Sequence, residues 1–114
     1  MATAALAATL LVAVLHLLFF AMETVGWDKM ARGFGYKKDG IELTRSLAMN
    51  QGFYNGGVAA LLVWAVFAGQ AATAVALLLF VIAMAVVGAV TAKWTIFLVQ
   101  GLPAVLALAL HLLA

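Results

Sequence analysis

Long apolar runs alternate with short polar segments along this chain. Four runs, each close to the ~20 residues that cross a hydrocarbon core of ~30 Å, take up almost the whole sequence: about residues 2–24, 43–68, 71–92 and 95–114. Because the bilayer core has no water to hydrogen-bond the backbone, such runs form α-helices. The pattern therefore predicts an all-α fold, an integral membrane four-helix bundle, in a single transmembrane domain over residues 1–114.

A polar segment interrupts the second apolar run close to its start. The stretch "AMNQGFYNGG", residues 48–57, lies in a chain that is 68% hydrophobic. On a helix its polar side chains Asn50, Gln51, Tyr54 and Asn55 occupy an arc of roughly 140°. Polar groups in such a position indicate either a site inside the membrane or hydrogen bonds between helices.

Two glycines lie opposite this polar arc. Gly52 and Gly56 are four residues apart, a small-xxx-small pattern that permits close contact between helices. The pattern supports packing within the chain and equally a homodimer, and it does not distinguish between them.

Charged residues are few and lie on one side of the predicted membrane. They make up 9% of the chain, against roughly 25% in soluble domains, so membrane lipids are the expected surroundings. Lys93 lies between the third and fourth runs. The other basic residues lie in or beside the loop 26–42, and they are Lys29, Arg32, Lys37, Lys38 and Arg45. The positive-inside rule makes both loops cytoplasmic and leaves both termini outside.

Several classes of function lack their sequence signatures. Residues 1–15 contain no Lys or Arg, so we expect the first run to remain as a helix rather than to be removed as a signal peptide. The chain has no cysteine, which excludes disulfides and thiolate metal sites. Phosphate-binding loops, nucleophile elbows, haem motifs and nucleic-acid platforms are absent from the sequence. We expect no metal, no cofactor and no nucleic-acid partner.

Two ionisable residues lie in the first run, where a charge is costly and a functional role is the default expectation. His16 and Glu23 are seven residues apart in "HLLFFAME", so on a helix they differ by only ~20° in direction and ~10 Å in height. An unperturbed histidine exchanges protons near neutral pH. Glu23 either remains ionised at the interface or acts as a proton donor. We predict that the two form a catalytic pair.

Depth along the helices predicts which polar side chains meet. The first helix runs towards the cytoplasm and the second and fourth start there, so residues 50–55 and Gln100 fall roughly 8 to 18 Å into their helices, level with His16. Their amides suit the orientation of a ligand carbonyl or hydroxyl. The predicted ligand-binding residues of this slab are Asn50, Gln51, Tyr54, Asn55 and Gln100. Together they form one wall of a cytoplasm-facing pocket beside Glu23.

A structural role is the alternative for these polar groups. Amides between membrane helices can serve only as packing contacts, worth ~0.6 kcal/mol on average. A glutamate, a histidine and four amides exceed what packing requires, which favours a ligand or proton site. His111 stands alone near the outer end of the fourth helix and is expected to be structural, while Lys93 is expected to set topology.

Three motifs carry a family resemblance over essentially the whole chain. "HLLFFAMETVGW", "NQGFYNGG" and "VQGLPAVLAL" resemble the bacterial four-helix membrane proteins grouped as domain of unknown function 1304. The resemblance implies a compact inner-membrane protein. It adds Trp27 to the ligand-binding set. The positions that match the family pattern are His16, Glu23, Trp27, Asn50, Gln51, Gly52, Tyr54, Asn55, Gln100 and Pro103.

Three hypotheses for function follow. In the first, a small membrane protein binds a lipophilic small molecule, and Glu23 with His16 performs acid–base chemistry on it as an isomerase, cyclase or hydratase. In the second, the chain is a proton-coupled exporter similar in size to small multidrug resistance transporters, although Glu23 lies near the membrane edge. In the third, it is a structural or assembly protein with a polar packing core.

Overall fold

The computed structural model describes residues 2–114, and it confirms the all-α class. Five α-helices and one π-helical turn account for nearly all of these residues. They are α1 (Ala2–Glu23), α2 (Trp27–Gly33), α3 (Lys38–Phe67), α4 (Ala71–Thr91), the π-helical turn Phe97–Gly101 and α5 (Leu102–Leu113).

Two helices are long and apolar enough to cross a membrane, where the sequence pattern predicted four. They are Thr3–Glu23 and Ala71–Thr91. The second predicted run falls within α3, which is 30 residues long but contains the polar segment 48–57, and this lowers its hydropathy. The fourth is a shorter apolar helix, Phe97–Leu113. Length and composition thus identify two candidate spans.

The predicted loop 26–42 is largely helical in the structure. It contains α2, and α3 begins at Lys38 rather than at residue 43. Asp39 lies in the first turn of α3, where a negative charge is favourable to the helix dipole.

Glycines end α2 and α3 in the same way. Gly35 has φ 89°, and the N–H of Tyr36 donates to the carbonyl of Ala31 at 3.0 Å. This is the Schellman arrangement, in which a left-handed residue turns the chain back over the last helical carbonyls. Gly69, with φ 68°, ends α3 by the same geometry. The chain therefore reverses sharply at both points.

The helices α1, α3, α4 and α5 pack side by side in a closed ring. α1 contacts α3 and α5, and α4 contacts the same two helices from the other side. Small side chains fill much of the shared core, which allows close helix approach. The fully buried residues that contact one another there are Val12, Ala13, Ala59, Leu62, Leu78, Val81, Ala104 and Ala107.

Large apolar side chains lie on the outside of this arrangement. Leu11 is 50% exposed, Phe80 50% and Leu106 54%, although each belongs to a highly apolar helix. A protein folded in water buries such residues and rarely exposes a continuous apolar surface of more than a few hundred Å². Large apolar side chains are thus exposed along the sides of the helices as well as buried in the core.

All ten charged side chains lie at one end of the molecule. The sequence confines them to residues 23–45 and to Lys93. The Lys93 ammonium lies 6.0 Å from the centre of the Phe34 ring, which brings it beside the α2–α3 connection. The turn at Gly69 lies at the other end of α3. The chain thus has one charged end and one end without charged side chains.

Candidate functional site

A hydrogen bond between α1 and α3 anchors the polar region. The Asn55 side chain is buried, and its Nδ2 donates to Glu23 Oε1 at 2.5 Å. Gly52, which the sequence placed opposite the polar arc, also faces α1, and a Cβ atom there would lie 3.1 Å from Glu23 Cβ and 2.9 Å from Thr24 Cγ2. The absence of a side chain at Gly52 therefore lets α3 approach the end of α1 closely enough for Asn55 to reach Glu23.

Glu23 also lines an open groove of about 350 Å³ between the end of α1, α2 and α3. We call it the Glu23 groove. Four of its lining residues belong to the predicted site, namely Glu23, Trp27, Asn50 and Gln51. Four others were not predicted as site residues: Tyr36, Thr44, Leu47 and Ala48. The groove thus brings together residues that are up to 28 positions apart in the sequence, from Glu23 to Gln51.

Aromatic side chains form the α2 side of this groove. Trp27 is 8% exposed, and its Nε1–H donates to Thr44 Oγ1 at 3.2 Å. Thr44 in turn donates to the Gly40 carbonyl at 2.7 Å. The Trp27 ring meets the Tyr36 ring edge to face with centroids 6.4 Å apart. These contacts hold α2 against the first turns of α3, so the aromatic wall is fixed in place.

An ion pair strengthens the same junction. Arg45 Nη2 lies 2.8 Å from Glu42 Oε1 and 2.6 Å from Asp28 Oδ1. The hydrogen bonds to Glu42 and to Asp28 raise the pKa of Arg45, so the guanidinium stays charged. Because both pairs are exposed to solvent, their contribution to stability is small, and the Asp28 pair joins α2 to α3.

His16 lies apart from the groove. It is 3% exposed, its Nδ1–H donates to the Val12 carbonyl of its own helix at 2.8 Å, and its ring packs edge to face on Phe19. Phe20 packs against Gly56, so His16, one turn deeper on α1, lies level with the part of α3 beyond Gly56. The structure does not bring His16 into contact with Glu23, and the predicted catalytic pair is not assembled.

The depth prediction fails for an identifiable reason. It started the second helix at residue 43 and so set residues 50–55 level with His16. Because α3 begins at Lys38 and Asn55 meets Glu23, the polar segment lies level with the end of α1 instead.

Besides Asn55, which is bonded to Glu23 and does not line the groove, two predicted ligand-binding residues lie outside it. Tyr54 is 66% exposed on the outer surface of α3. Gln100 is half-buried in the π-helical turn that precedes Pro103. Proline has no N–H for the carbonyl one turn earlier, and a widened turn accommodates this loss. Neither side chain lines the groove beside Glu23.

The site offers hydrogen-bonding groups of two kinds. Asn55 is committed to Glu23, whereas Asn50 and Gln51 are exposed and make no side-chain hydrogen bond to any other residue within 2–114. These two amides can donate to and accept from a ligand. No group of three or more His, Cys, Asp or Glu side chains that could hold a metal ion occurs in the part of the chain that the structure describes.

Comparison with known proteins identifies a family and nothing closer. Searches of curated proteins and of solved structures give no match to the chain. The family model described as Protein of unknown function (DUF1304) matches residues 10–112, which include α2, α3, α4 and every residue of the Glu23 groove. The chain belongs to the DUF1304 family.

Proposed function

We propose that the protein is a four-helix integral membrane protein whose Glu23 groove binds the polar end of a lipophilic small molecule. One observation carries the proposal: Glu23, Asn50 and Gln51 come from two helices and line the same open groove. A carboxyl and two uncommitted amides around one groove exceed what contact between two helices needs.

The distribution of apolar side chains supports four membrane spans. Large residues face outward on α1, α4 and α5, and small residues fill the core. α3 crosses with Asn55 turned to α1 and with Asn50 and Gln51 at the groove, while Tyr54 lies on its outer surface. At 1.5 Å per residue its length is about 45 Å, so its first turns extend beyond a core of ~30 Å. The helix Phe97–Leu113 is at the short end of the range of ~17–25 residues.

The charged end supports an orientation in a bacterial inner membrane. All six basic residues lie at the end that contains the Glu23 groove. By the positive-inside rule this end faces the cytoplasm, and both termini lie outside. The groove then opens at the cytoplasmic boundary of the bilayer, where a molecule can enter with its polar end towards water.

The lining of the groove suits an amphipathic ligand. Leu47 lines it and is 71% exposed, so an apolar tail has a surface that continues towards the lipid-facing side of α3. Asn50 and Gln51 would bind a carbonyl or hydroxyl at the head of the ligand, and Trp27 with Tyr36 would cover it from the α2 side. No second copy of the chain is needed to complete this groove.

Acid–base chemistry on the bound molecule would rest on Glu23 alone. It is the one carboxyl among the lining residues, and His16 makes its hydrogen bond elsewhere. Isomerisation, cyclisation or hydration would therefore use a single carboxyl as both proton donor and acceptor. Binding is the function that the geometry supports best, and catalysis is the extension that depends on it.

The test is to purify the protein in mild detergent, extract it and identify retained small molecules by mass spectrometry. We expect a lipophilic compound to be retained by the wild type and lost from Glu23→Gln and from the double variant Asn50→Ala/Gln51→Ala. Loss of two hydrogen bonds at about 1 kcal/mol each predicts roughly a 30-fold drop in affinity. Gln70→Ala removes an exposed amide at the opposite end and serves as the matched control.

Three other outcomes would contradict the proposal, and each favours a different explanation. Equal retention by Glu23→Gln, the double variant and the control would remove the groove as the binding site. Proton-driven flux in liposomes that Glu23→Gln abolishes would favour the exporter. If no compound is retained and the variants lose only thermal stability, the polar residues are packing contacts. His16→Ala is expected to retain the ligand, because His16 does not line the groove.

A further inference from the structure

A second groove lies beside the Glu23 groove and is larger, with a volume of about 430 Å³. We call it the basic groove. It lies between the end of α2 and the start of α3, and it is lined by Arg32, Tyr36, Lys37, Lys38, Ile41 and Glu42. Tyr36 lines both grooves, so the two share a wall.

The charges around the basic groove do not balance within the protein. Every salt bridge among residues 2–114 is made by Arg45, which engages Asp28 and Glu42. The single carboxylate at the groove, Glu42, is therefore already paired with a cation outside it. The three cations that line the groove have no carboxylate within salt-bridge distance in the described chain. A concave surface with three unneutralised cations attracts an anion.

The floor and the level of the groove indicate what kind of anion fits. Ile41 is 5% exposed and gives the groove an apolar floor, while the Trp27–Tyr36 pair marks the depth at which aromatic rings meet lipid headgroups. Phosphate groups lie at this depth in a bilayer. An arginine with two lysines matches a phosphate group, because guanidinium binds two of its oxygens and ammonium adds charge.

We propose that the basic groove is a binding site for a phosphate group, carried either by an anionic lipid headgroup or by a soluble phosphate. The charge of Arg32, Lys37 and Lys38 would supply the affinity, and Tyr36 would flank the ester side. The site is independent of whether the Glu23 groove binds anything, since its cations take no part in that groove.

The test is native mass spectrometry of the detergent-solubilised protein with added phosphatidylglycerol or phosphatidylcholine. The wild type is expected to retain phosphatidylglycerol preferentially. The double variant Lys37→Gln/Lys38→Gln should bind it at least tenfold more weakly, because each cation near an anionic headgroup contributes a factor of roughly five. Lys29→Gln/Lys93→Gln removes the same net charge outside the groove and should bind like the wild type. Lys37→Arg/Lys38→Arg should retain binding.

A competition arm separates the two sources of phosphate. If inorganic phosphate displaces phosphatidylglycerol at comparable concentration, the site is assigned to a soluble phosphate. If the lipid stays bound in the presence of inorganic phosphate, the site is assigned to a lipid headgroup. Equal losses in the two glutamine double variants would show non-specific attraction and overturn the proposal. Phosphatidylcholine carries the same phosphodiester without net charge, so its retention by the wild type equal to that of phosphatidylglycerol would show that the three cations do not select an anion and would also overturn the proposal. Circular dichroism checks that each variant retains its helices.

Discussion

Identical side chains take different roles within one turn and a half of α3. Asn55 points at α1 and its Nδ2 donates a hydrogen bond to Glu23, whereas Asn50 is exposed at the edge of the groove. The step of five positions from Asn50 to Asn55 rotates the side chain by roughly 140° around the helix. The packing role and the ligand role proposed for this polar segment therefore belong to different residues and can be separated by substitution.

The two asparagines should differ in their effect on stability. Asn55→Ala removes the partner of a partly buried carboxyl, and we expect it to cost about 1–3 kcal/mol. Asn50→Ala should change stability by less than about 0.5 kcal/mol, since an exposed side chain without partners is removed. Thermal unfolding in detergent measures both. Equal destabilisation would mean that the whole segment acts as a packing surface.

Alanine substitutions at Gly52 and Gly57 test whether the fold requires the close approach of α1 and α3. A Cβ at Gly52 would lie 2.9 Å from Thr24 Cγ2 and 3.2 Å from the backbone oxygen of Phe20, while a Cβ at Gly57 meets nothing within 4 Å. We expect Gly52→Ala to destabilise by about 1–3 kcal/mol through overpacking. Gly57→Ala should be neutral or stabilise by up to about 1 kcal/mol, because alanine favours the helix.

Unfolding temperatures of the two glycine variants give the comparison directly. Gly52→Ala should also weaken ligand retention, since moving α3 away from α1 separates Asn55 from Glu23. If Gly52→Ala were as stable as Gly57→Ala, the close approach of the helices would not be needed for the fold.

At the scale of elements, a polar contact joins α1 to α5 far from the groove. Thr9 is fully buried, and its Oγ1 donates to the Ala5 carbonyl at 2.8 Å. Its single hydroxyl hydrogen is thereby used, so the 2.8 Å contact with His111 requires that His111 Nε2–H donates to Thr9. This assigns the tautomer of His111 and agrees with the structural role expected for it.

Replacing Thr9 tests this contact with a close isostere. Thr9→Val keeps the shape but removes the acceptor of His111, and we expect a loss of about 0.6–1.7 kcal/mol, from the average to the largest value for hydrogen bonds between membrane helices. Thr91→Val is the control, because Thr91 bonds only the Val87 carbonyl of its own helix. Chemical or thermal unfolding in detergent should show that Thr9→Val is less stable than Thr91→Val. Equal stability would mean that the bond contributes nothing net.

At the scale of the whole molecule, charge and apolar surface divide the protein into regions. Ten charged side chains gather at one end, and the long sides expose leucine, valine and phenylalanine. The proposed membrane location accounts for this distribution, with lipid around the helices and water or headgroups at the charged end.

The proposed orientation can be read by labelling, because the chain has no native cysteine. Gln70→Cys lies in the uncharged turn between α3 and α4, and Asp39→Cys lies in the first turn of α3. In intact bacterial spheroplasts, a membrane-impermeant maleimide should label Gln70→Cys. The same reagent should label Asp39→Cys only after the membrane has been permeabilised. The opposite pattern would reverse the orientation and move the Glu23 groove to the outer face.

Much of the fold could be predicted from residue patterns, and part of the site could not. The helices of the four apolar runs, the turn between the second and third runs, and the gathering of Glu23, Asn50 and Gln51 follow from local rules and from antiparallel neighbours, whereas α2 lies in a segment predicted as a loop. Thr44 and Leu47 could not be predicted as groove residues, because a threonine or a leucine in a helix gives the same sequence pattern whether it faces a groove or lipid. His16 was misplaced relative to the polar segment because the prediction counted depth from residue 43, whereas the contacts of Gly52 and Asn55 with the end of α1 fix the relative height of the two helices.

The sequence by itself determined the all-α class, the separation of charge from apolar surface and the identity of the polar residues, because each depends on composition and on spacing within one helix. Only the tertiary structure decided the partners: Asn55 with Glu23, Thr9 with His111, and His16 with its own backbone. Those choices depend on the relative height of two helices, which is set by packing contacts such as that at Gly52. No periodicity within a single helix specifies that height.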